Sequence, residues 1–282
     1  MYKRQLYDYG RISTGSVQVY DMINTPKGLL MGSYSGAWTD LWDPAKPLEE
    51  GVNPYRFERN PTQERPLQWA TGPDGCFYTG TMPVKGHLGG ALARVNLEEM
   101  SVKWWRNVIE NQSVVGCAAV PETGELFCTS TISGGSSAKP SEKEAFVFLW
   151  DCAGEKVSFT AQPVPGATSY GQPVRARNGL IYGLAAGKYY AFDPVKRETV
   201  FVGEVPVTGA KFPGLHQEPV GEKGLIYGLI EDAIVAIDPA DNSFNIMARH
   251  ESIKRAHGFM ITGDGVLYYG CGPKLWRCRL LP

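Results

Sequence analysis

The chain has 282 residues, of which 43% are hydrophobic and 20% are charged, and its formal net charge is −1. This balance is typical of a globular protein with a sizeable core, and it excludes an intrinsically disordered chain. The near-neutral charge argues against nucleic acid as the main partner, and no apolar segment approaches the roughly 20 residues of a membrane-spanning helix. We therefore expect neither a nucleic-acid partner nor a membrane span.

The start of the chain raises a question of completeness. Residues 1–5, MYKRQ, resemble the translation of a transposon-end adapter used in sequencing libraries, so we expect them to be non-native. Residues 6–14 resemble the outer strand of a repeat unit found later in the chain, and they would complete the last unit of a closed ring. The alternative is a larger, seven-unit ring whose upstream part is missing, and the adapter-like start favours it. The compartment stays open, with an extracytoplasmic location slightly favoured.

A repeat organises the rest of the chain. The stretch Gly-Leu-Ile-Tyr-Gly-Leu occurs at 179–184 and again at 224–229, and in both cases an Asp-Pro pair follows at the same distance. Degenerate copies begin at four further glycines, with spacings of 41 to 55 residues. The anchoring glycines of the six units are Gly28, Gly75, Gly124, Gly179, Gly224 and Gly265. A period of this size indicates a repeat architecture.

Each unit is predicted to contain four short strands. An Asp-Gly or Asn-Gly turn, such as Asn178-Gly179, separates the first two, because both residues tolerate positive φ. The second strand is apolar on both faces, as expected for a strand buried on two sides. The third ends at the Asp-Pro turn, and the fourth is more polar. Four-stranded units of this length without helices predict an all-β fold, a β-propeller of antiparallel blades.

The repeat resembles the broad propeller superfamily that includes WD-repeat, YVTN-type and quinoprotein-like proteins. Residues 63–66 and 86–92 are similar to bacterial propeller proteins to which no activity is assigned. The resemblance implies a fold and leaves the activity open, since propellers carry unrelated chemistries. We predict one domain over residues 6–282. Its blades are expected at 15–62, 63–111, 112–166, 167–211, 212–254 and 255–282, the last together with 6–14.

Propeller geometry sorts the polar residues by face. The loops that enter the innermost strands and the loops that join second to third strands share one face. The residues assigned to this face are Tyr34, Trp38, Arg65, His87, Gln112, Tyr170, His216, Gln217, His250 and His257. We also expect the insertion at 131–144 to cover this face as a lid. The Asp-Pro turns of the opposite face are expected to collect no comparable set.

The leading functional hypothesis is a ligand-binding propeller related to carbohydrates. The aromatic side chains of Tyr34, Trp38 and Tyr170 are suited to stacking on sugar rings. The polar groups of His87, Gln112 and Gln217 would complete the binding residues. A small molecule or a glycan is the expected ligand, and an interaction scaffold for a protein partner is an alternative.

A second alternative is a polysaccharide lyase acting on glycans that contain uronate. Its β-elimination needs a group that neutralises the carboxylate, a base for the C5 proton and an acid for the leaving oxygen. Arg65 would neutralise the carboxylate. His216 or His257, at equal offsets in successive units, would act as the base. Tyr34 or His87 would act as the acid.

No cofactor is expected. The sequence contains no adjacent cysteine pair, no haem-attachment motif and no acidic calcium cluster on the predicted rim, which argues against a quinoprotein-type redox enzyme. A divalent metal held by His87, His216, His257 and Gln217 ranks second, because the rim is open. The six cysteines lack metal-site spacing. Cys117 and Cys128 flank one hairpin and are expected to be buried thiols rather than a disulfide.

Overall fold

The computed structural model describes residues 18–49, 51–208, 214–217 and 223–280, and these form an all-β propeller of six blades. The strands of each sheet are antiparallel and follow chain order from the centre outwards. Five blades have four strands, and blade 6 has three within the described part of the chain. The predicted fold class is therefore confirmed. The predicted scar at 1–5 and the predicted strand at 6–14 lie outside the described residues.

The bounds of the strands follow the predicted repeat closely. In chain order they are, for blade 1, β1 (Gln18–Thr25), β2 (Gly28–Tyr34), β3 (Trp38–Trp42) and β4 (Tyr55–Arg56); for blade 2, β5 (Gln63–Thr71), β6 (Phe77–Pro83), β7 (Ala91–Asn96) and β8 (Ser101–Arg106); for blade 3, β9 (Ser113–Val120), β10 (Glu125–Thr131), β11 (Val147–Asp151) and β12 (Lys156–Ala161); for blade 4, β13 (Val174–Arg175), β14 (Ile181–Ala185), β15 (Lys188–Asp193) and β16 (Glu198–Glu204); for blade 5, β17 (Leu215–Gln217), β18 (Ile226–Ile230), β19 (Ala233–Ile237) and β20 (Phe244–Arg249); and for blade 6, β21 (Ala256–Ile261), β22 (Val266–Cys271) and β23 (Lys274–Arg279).

Helical structure is limited to one short segment of the described chain. A 3₁₀ helix at Glu251–Arg255 connects blade 5 to blade 6. Across the described ranges, the structure contains no helix with the length and hydropathy needed to cross a membrane.

The turns between strands form for the local reasons that the sequence indicates. Gly75 and Gly179 follow Asp74 and Asn178, and both take positive φ, at 76° and 87°, where a side chain would be strained. At the third-to-fourth-strand turn of blade 4, Asp193 Oδ1 accepts hydrogen bonds from the backbone N–H groups of Val195 and Lys196, at 3.0 and 2.9 Å. These side chains satisfy backbone donors that the sheet leaves unpaired.

The hydrophobic core is divided among the interfaces between successive blades. Five buried clusters join blades 1 and 2, 2 and 3, 3 and 4, 4 and 5, and 5 and 6. Between blades 3 and 4, for example, the rings of Phe127 and Phe192 lie 5.2 Å apart. Each large apolar side chain buried in this way contributes roughly 1.5–3 kcal/mol. Packing between neighbouring blades therefore holds the propeller together.

Blades 1 and 6 lack such a cluster between them within the described residues. Met22 on β1 is 52% exposed, and Met260 on β21 and Leu275 on β23 are 56% and 73% exposed. The inner strand of blade 3, in contrast, is buried along almost its entire length. In the described part of the chain, each of these two blades is thus packed against a neighbour on one side only.

Candidate functional site

The antiparallel strand order places the predicted residues at one end of the sheets. Inner strands begin, and second strands end, at the same face, which we call the upper face. Tyr34 is the last residue of β2, Arg65 lies near the start of β5, and His87 lies in the loop between β6 and β7. The turns from inner to second strands and from third to outer strands form the lower face.

Arg65 and Tyr34 meet across the interface between blades 1 and 2. The guanidinium carbon of Arg65 lies 5.3 Å from the centroid of the Tyr34 ring, within cation–π range. The turn that follows Tyr34 is held in place by blade 2, because the carbonyl oxygen of Glu64 accepts hydrogen bonds from Gly36 N (3.1 Å) and Ala37 N (2.9 Å). A second ring, that of Tyr20, lies 5.9 Å from Tyr34. Two aromatic rings and one cation therefore converge here.

The insertion of blade 3 reaches over to this pair. Arg65 Nη2 donates to Ser136 Oγ at 3.0 Å, and the backbone of the insertion exchanges hydrogen bonds with the loop of blade 2. Gly86 N donates to the Ser136 carbonyl and Gly135 N donates to the His87 carbonyl, both at 2.9 Å. Arg65 Nε is buried and has no hydrogen-bond partner among the described residues. Arg65 is thus fixed through Nη2, and its Nε is shielded from solvent.

His87 is exposed beside these contacts. Its Nδ1 lies 3.0 Å from the carbonyl oxygen of Lys85, and since a carbonyl only accepts, Nδ1 carries the proton. Nε2 is consequently the ring nitrogen that can accept a hydrogen bond.

Trp38 forms a second aromatic–cation group on the same face of blade 1. The guanidinium carbons of Arg56 and Arg59 lie 4.3 and 4.7 Å from its ring centroid. Arg56 is held by the carboxylate of Asp40 through Nε–Oδ1 (2.8 Å) and Nη2–Oδ2 (3.2 Å). The side chain of Asp40 is fully buried, so the Trp38 group rests on a fixed ion pair.

Gln112 and Tyr170, predicted as binding residues, are buried and use their polar atoms internally. Gln112 donates to the Glu144 carbonyl (3.0 Å) and accepts from Ser130 Oγ (2.6 Å). The hydroxyl of Tyr170 donates to the Val164 carbonyl (2.9 Å) and accepts from Val164 N (3.2 Å). These contacts hold the loops of blade 3, so neither side chain offers a free group at the surface, and we leave both out of the candidate site.

The predicted histidine pair is described only in part. His216 packs edge-on against Phe259, with ring centroids 4.5 Å apart, and burial lowers the pKa of His216. The strands β17 and β21, which carry His216 and His257, contact each other. The side chains of His257 and Gln217 lie outside the described part of the structure. Among described residues, no contact links His216 on blade 5 with Arg65 and Tyr34, and no three His, Cys, Asp or Glu side chains could together hold a metal ion.

Sequence reasoning missed two residues of the upper-face group, namely Tyr20 and Arg59, whereas Ser136 lies in the insertion at 131–144 that it assigned to this face. Arg59 precedes an inner strand, so the rule that selected Arg65 could have selected it as well. Tyr20 lies at a β-bulge in β1, where the register against β2 shifts, and no sequence signal places its ring beside Tyr34.

The lower face is richer than the sequence suggested. A cleft of about 490 Å³ opens there, with Lys27, Asp74, Arg94, Asn96 and Glu98 among its lining residues. A second cleft of about 600 Å³ lies across the Pro26–Lys27 turn. Sequence reasoning did not identify these polar residues, which come from blades 1 and 2 and converge across the interface between the two blades.

Comparison with known proteins supports the fold. No protein family model matches the chain, and no curated protein matches it in sequence. Among solved structures, the chain is similar to the extracellular domain of the "putative one component system BT4673" from B. thetaiotaomicron, with a TM-score of 0.67 and 12% identity over 95% of this chain. It is also similar to the extracellular domain of the "putative hybrid two component system BT3049" from the same organism, with a TM-score of 0.61 and 8% identity over 95% of this chain.

The matched region is 36% of the first of those chains and 35% of the second, so this chain spans about a third of their length. At such low identity the similarity shows the fold alone. The class of protein defined by the fold is the β-propeller.

Proposed function

We propose that this chain is a ligand-binding β-propeller domain that recognises a glycan at the upper face of blades 1 to 3. The observation that carries the proposal is the contact group of Tyr34, Arg65 and Ser136, in which each residue comes from a different blade. Sugar rings bind to aromatic faces through their C–H surfaces and to guanidinium and hydroxyl groups through their oxygens. This group offers all three.

The second aromatic group supports the same proposal. Trp38, with Arg56 and Arg59 against its ring, lies one short turn from Tyr34 and extends the upper surface along blade 1. A surface of this kind fits an oligosaccharide better than a single small ion. Arg65 and Arg59 would favour a glycan that carries carboxylates, since guanidinium groups bind carboxylates through two parallel hydrogen bonds.

The proposal includes an extracytoplasmic location for the domain. The two similar structures are described as extracellular domains of a putative one component system and a putative hybrid two component system, which favours an extracytoplasmic sensing role for this chain. The contacts of the upper-face group do not support the polysaccharide lyase hypothesis, because the candidate base His216 lies on blade 5. The hypothesis stays a prediction. An absorbance assay for the formation of an unsaturated uronate tests it.

The experiment is a binding survey by isothermal titration calorimetry, with neutral hexose oligosaccharides and uronate oligosaccharides as probes. We expect Tyr34→Ala to weaken binding about 3–10-fold through loss of stacking. Arg65→Gln should weaken binding of uronate oligosaccharides by roughly tenfold or more. Tyr34→Phe keeps the ring and should retain most of the affinity.

Arg277→Gln is the matched control for Arg65→Gln, because Arg277 is an exposed arginine on blade 6. Its affinity should equal that of the unmodified protein. Absence of binding across the whole panel, or affinities of the Tyr34→Ala and Arg65→Gln variants that equal the affinity of the unmodified protein, would refute glycan recognition at this face.

A further inference from the structure

The lower-face cleft between blades 1 and 2 has the features of a second ligand site. It measures about 490 Å³, a volume suited to a monosaccharide-sized molecule. We propose that this cleft binds a small hydroxylated carboxylate, such as a sugar acid. The proposal is independent of the upper-face group, because the two sets of residues lie at opposite ends of the strands.

Arg94 supplies a held guanidinium group. Its Nε donates to Asp74 Oδ2 at 2.9 Å, and Asp74 is itself fixed by the Tyr78 hydroxyl (2.9 Å) and by Cys76 N (3.2 Å). Arg94 Nη1 and Nη2 form no hydrogen bond to a nitrogen or oxygen atom of the described residues, the Cys76 thiol lies nearby, and the Arg94 side chain is 28% exposed. Because Asp74 restrains the Arg94 guanidinium through Nε, the Nη groups of Arg94 are preorganised to donate hydrogen bonds to a ligand carboxylate.

Lys27 supplies a second cation from the facing wall. Its Nζ donates to the Leu97 carbonyl at 2.6 Å, which holds the ammonium group at the cleft. The nearest carboxylate, that of Glu98, lies 3.6 Å away, and its side chain is 88% exposed. Such an exposed ion pair contributes little, so a ligand carboxylate can replace Glu98 beside Lys27 at small cost.

The remaining lining favours hydroxyl groups rather than a bare anion. Asn96 Oδ1 accepts from Glu98 N (2.9 Å) and Glu99 N (3.2 Å), which fixes the amide with its NH₂ group available to donate. Asn24 adds a second exposed amide, and Phe77 adds an apolar surface. A molecule with one carboxylate and several hydroxyls on a ring matches this set of donors, acceptors and apolar surface.

Titration calorimetry with D-glucuronate as the probe, and with D-glucose as its uncharged counterpart, tests the proposal. We expect glucuronate to bind and glucose to bind at least tenfold more weakly, because the charged contacts contribute most. Lys27→Gln and Arg94→Gln should each weaken glucuronate binding at least fivefold. Glu98→Gln should tighten it about threefold, because the competing carboxylate is removed.

Three controls separate the possible outcomes. Glu99→Gln changes a neighbouring exposed glutamate and should leave the affinity unchanged. Arg65→Gln should also leave it unchanged, so failure at the upper face and failure here can be distinguished. Glu98→Gln replaces an exposed side chain and should not disturb folding, which keeps the test valid if Arg94→Gln is unstable. Equal binding of glucose and glucuronate, no binding by either the unmodified chain or Glu98→Gln, or indifference to Lys27→Gln would overturn the proposal.

Discussion

The carboxylate of Asp40 and the guanidinium of Arg56 form a two-point ion pair between neighbouring strands of blade 1, with Arg56 lying against the ring of Trp38. The Asp40 side chain is completely buried, and the Arg56 guanidinium is a charged partner within hydrogen-bond distance of it. Removing one member of a buried pair leaves the other uncompensated. This pair thus links the stability of blade 1 to the orientation of an aromatic side chain in the proposed glycan site.

We expect Asp40→Asn to lower the free energy of unfolding by roughly 2–4 kcal/mol, because Arg56 then lacks its compensating charge. Urea denaturation followed by tryptophan fluorescence measures the change. Lys46→Gln is the control, since it removes the exposed Lys46–Asp43 pair, and its effect should stay within about 0.5 kcal/mol. Equal effects of the two substitutions would contradict the role assigned to Asp40.

Asp21 is a half-buried carboxylate whose charge opposes folding. Burial raises the pKa of Asp21, although its Oδ2 accepts a hydrogen bond from Trp69 N at 2.6 Å. A raised pKa means that the stability contributed by Asp21 is present below the pKa of the unfolded state, about 3.9, and is lost as the pH rises through the folded-state pKa.

Asp21→Asn keeps an oxygen acceptor for Trp69 N and removes the charge. We expect it to raise the free energy of unfolding at pH 7 by about 1 kcal/mol. The difference from the unmodified protein should disappear near pH 3, where both side chains are neutral. Denaturation curves at pH 7 and pH 3 measure the difference in the free energy of unfolding. A lower value for Asp21→Asn at pH 7 would show that the hydrogen bond to Trp69 N contributes more to stability than removal of the charge does.

His216 should make the free energy of unfolding depend on pH in the range below about 6.5, with the opposite sign to Asp21. Burial lowers the pKa of His216, so the unfolded chain binds a proton more readily than the folded chain does. The free energy of unfolding should therefore fall as the pH drops below about 6.5, by up to about 1.4 kcal/mol per pH unit. His216→Gln should reduce this slope by up to the amount that corresponds to the uptake of one proton on unfolding. An unchanged slope for His216→Gln would contradict this prediction.

The thiols of Cys117 and Cys128 face each other across the hairpin of blade 3. The two residues are directly opposite in register, their Sγ atoms lie 3.0 Å apart, and both are free thiols. Burial raises the pKa of the Cys128 thiol well above its ordinary value, and thiolates rather than thiols react. In the folded protein, we expect iodoacetamide at pH 8 to modify the half-buried Cys271 and Cys278 and to leave this pair unmodified.

Mass spectrometry of the alkylated protein measures the outcome. In 6 M guanidinium without reductant all six cysteines should react. Only four modified cysteines under those conditions would reveal a disulfide between Cys117 and Cys128, against the expectation.

The fold could be predicted because its signals are local and repeated. The stretch at 179–184 and its copy at 224–229 contain all but the last residue of strands β14 and β18, which are buried on both faces as their composition indicates. The face assignments of Tyr34 and Arg65 follow from strand order alone. The contact between Tyr34 and Arg65 does not follow from strand order. It depends on the turn after Tyr34 in blade 1, which the Glu64 carbonyl of blade 2 holds in place.

Two kinds of information were beyond the sequence. Loop position does not tell whether a side chain points outward, and Gln112 and Tyr170 turn inward because backbone groups of blade 3 satisfy their polar atoms. A cleft formed across two blades is also invisible in a pattern read one unit at a time. Lys27 belongs to a turn of blade 1 and Arg94 to a strand of blade 2, and only the packing of the blades brings them to one cleft.

The one-sided packing of blades 1 and 6 within the described residues has a consequence for motion. In an array where each unit contacts only its neighbours, the units at the two ends lose one interface rather than two when they open. Backbone amides of β2 and β22 should then exchange with deuterium faster than those of β10. A glycan that contacts both Tyr34 and Arg65 would add a contact between blade 1 and blade 2. Its binding should therefore slow deuterium exchange of the backbone amides of β2 and leave that of β22 unchanged.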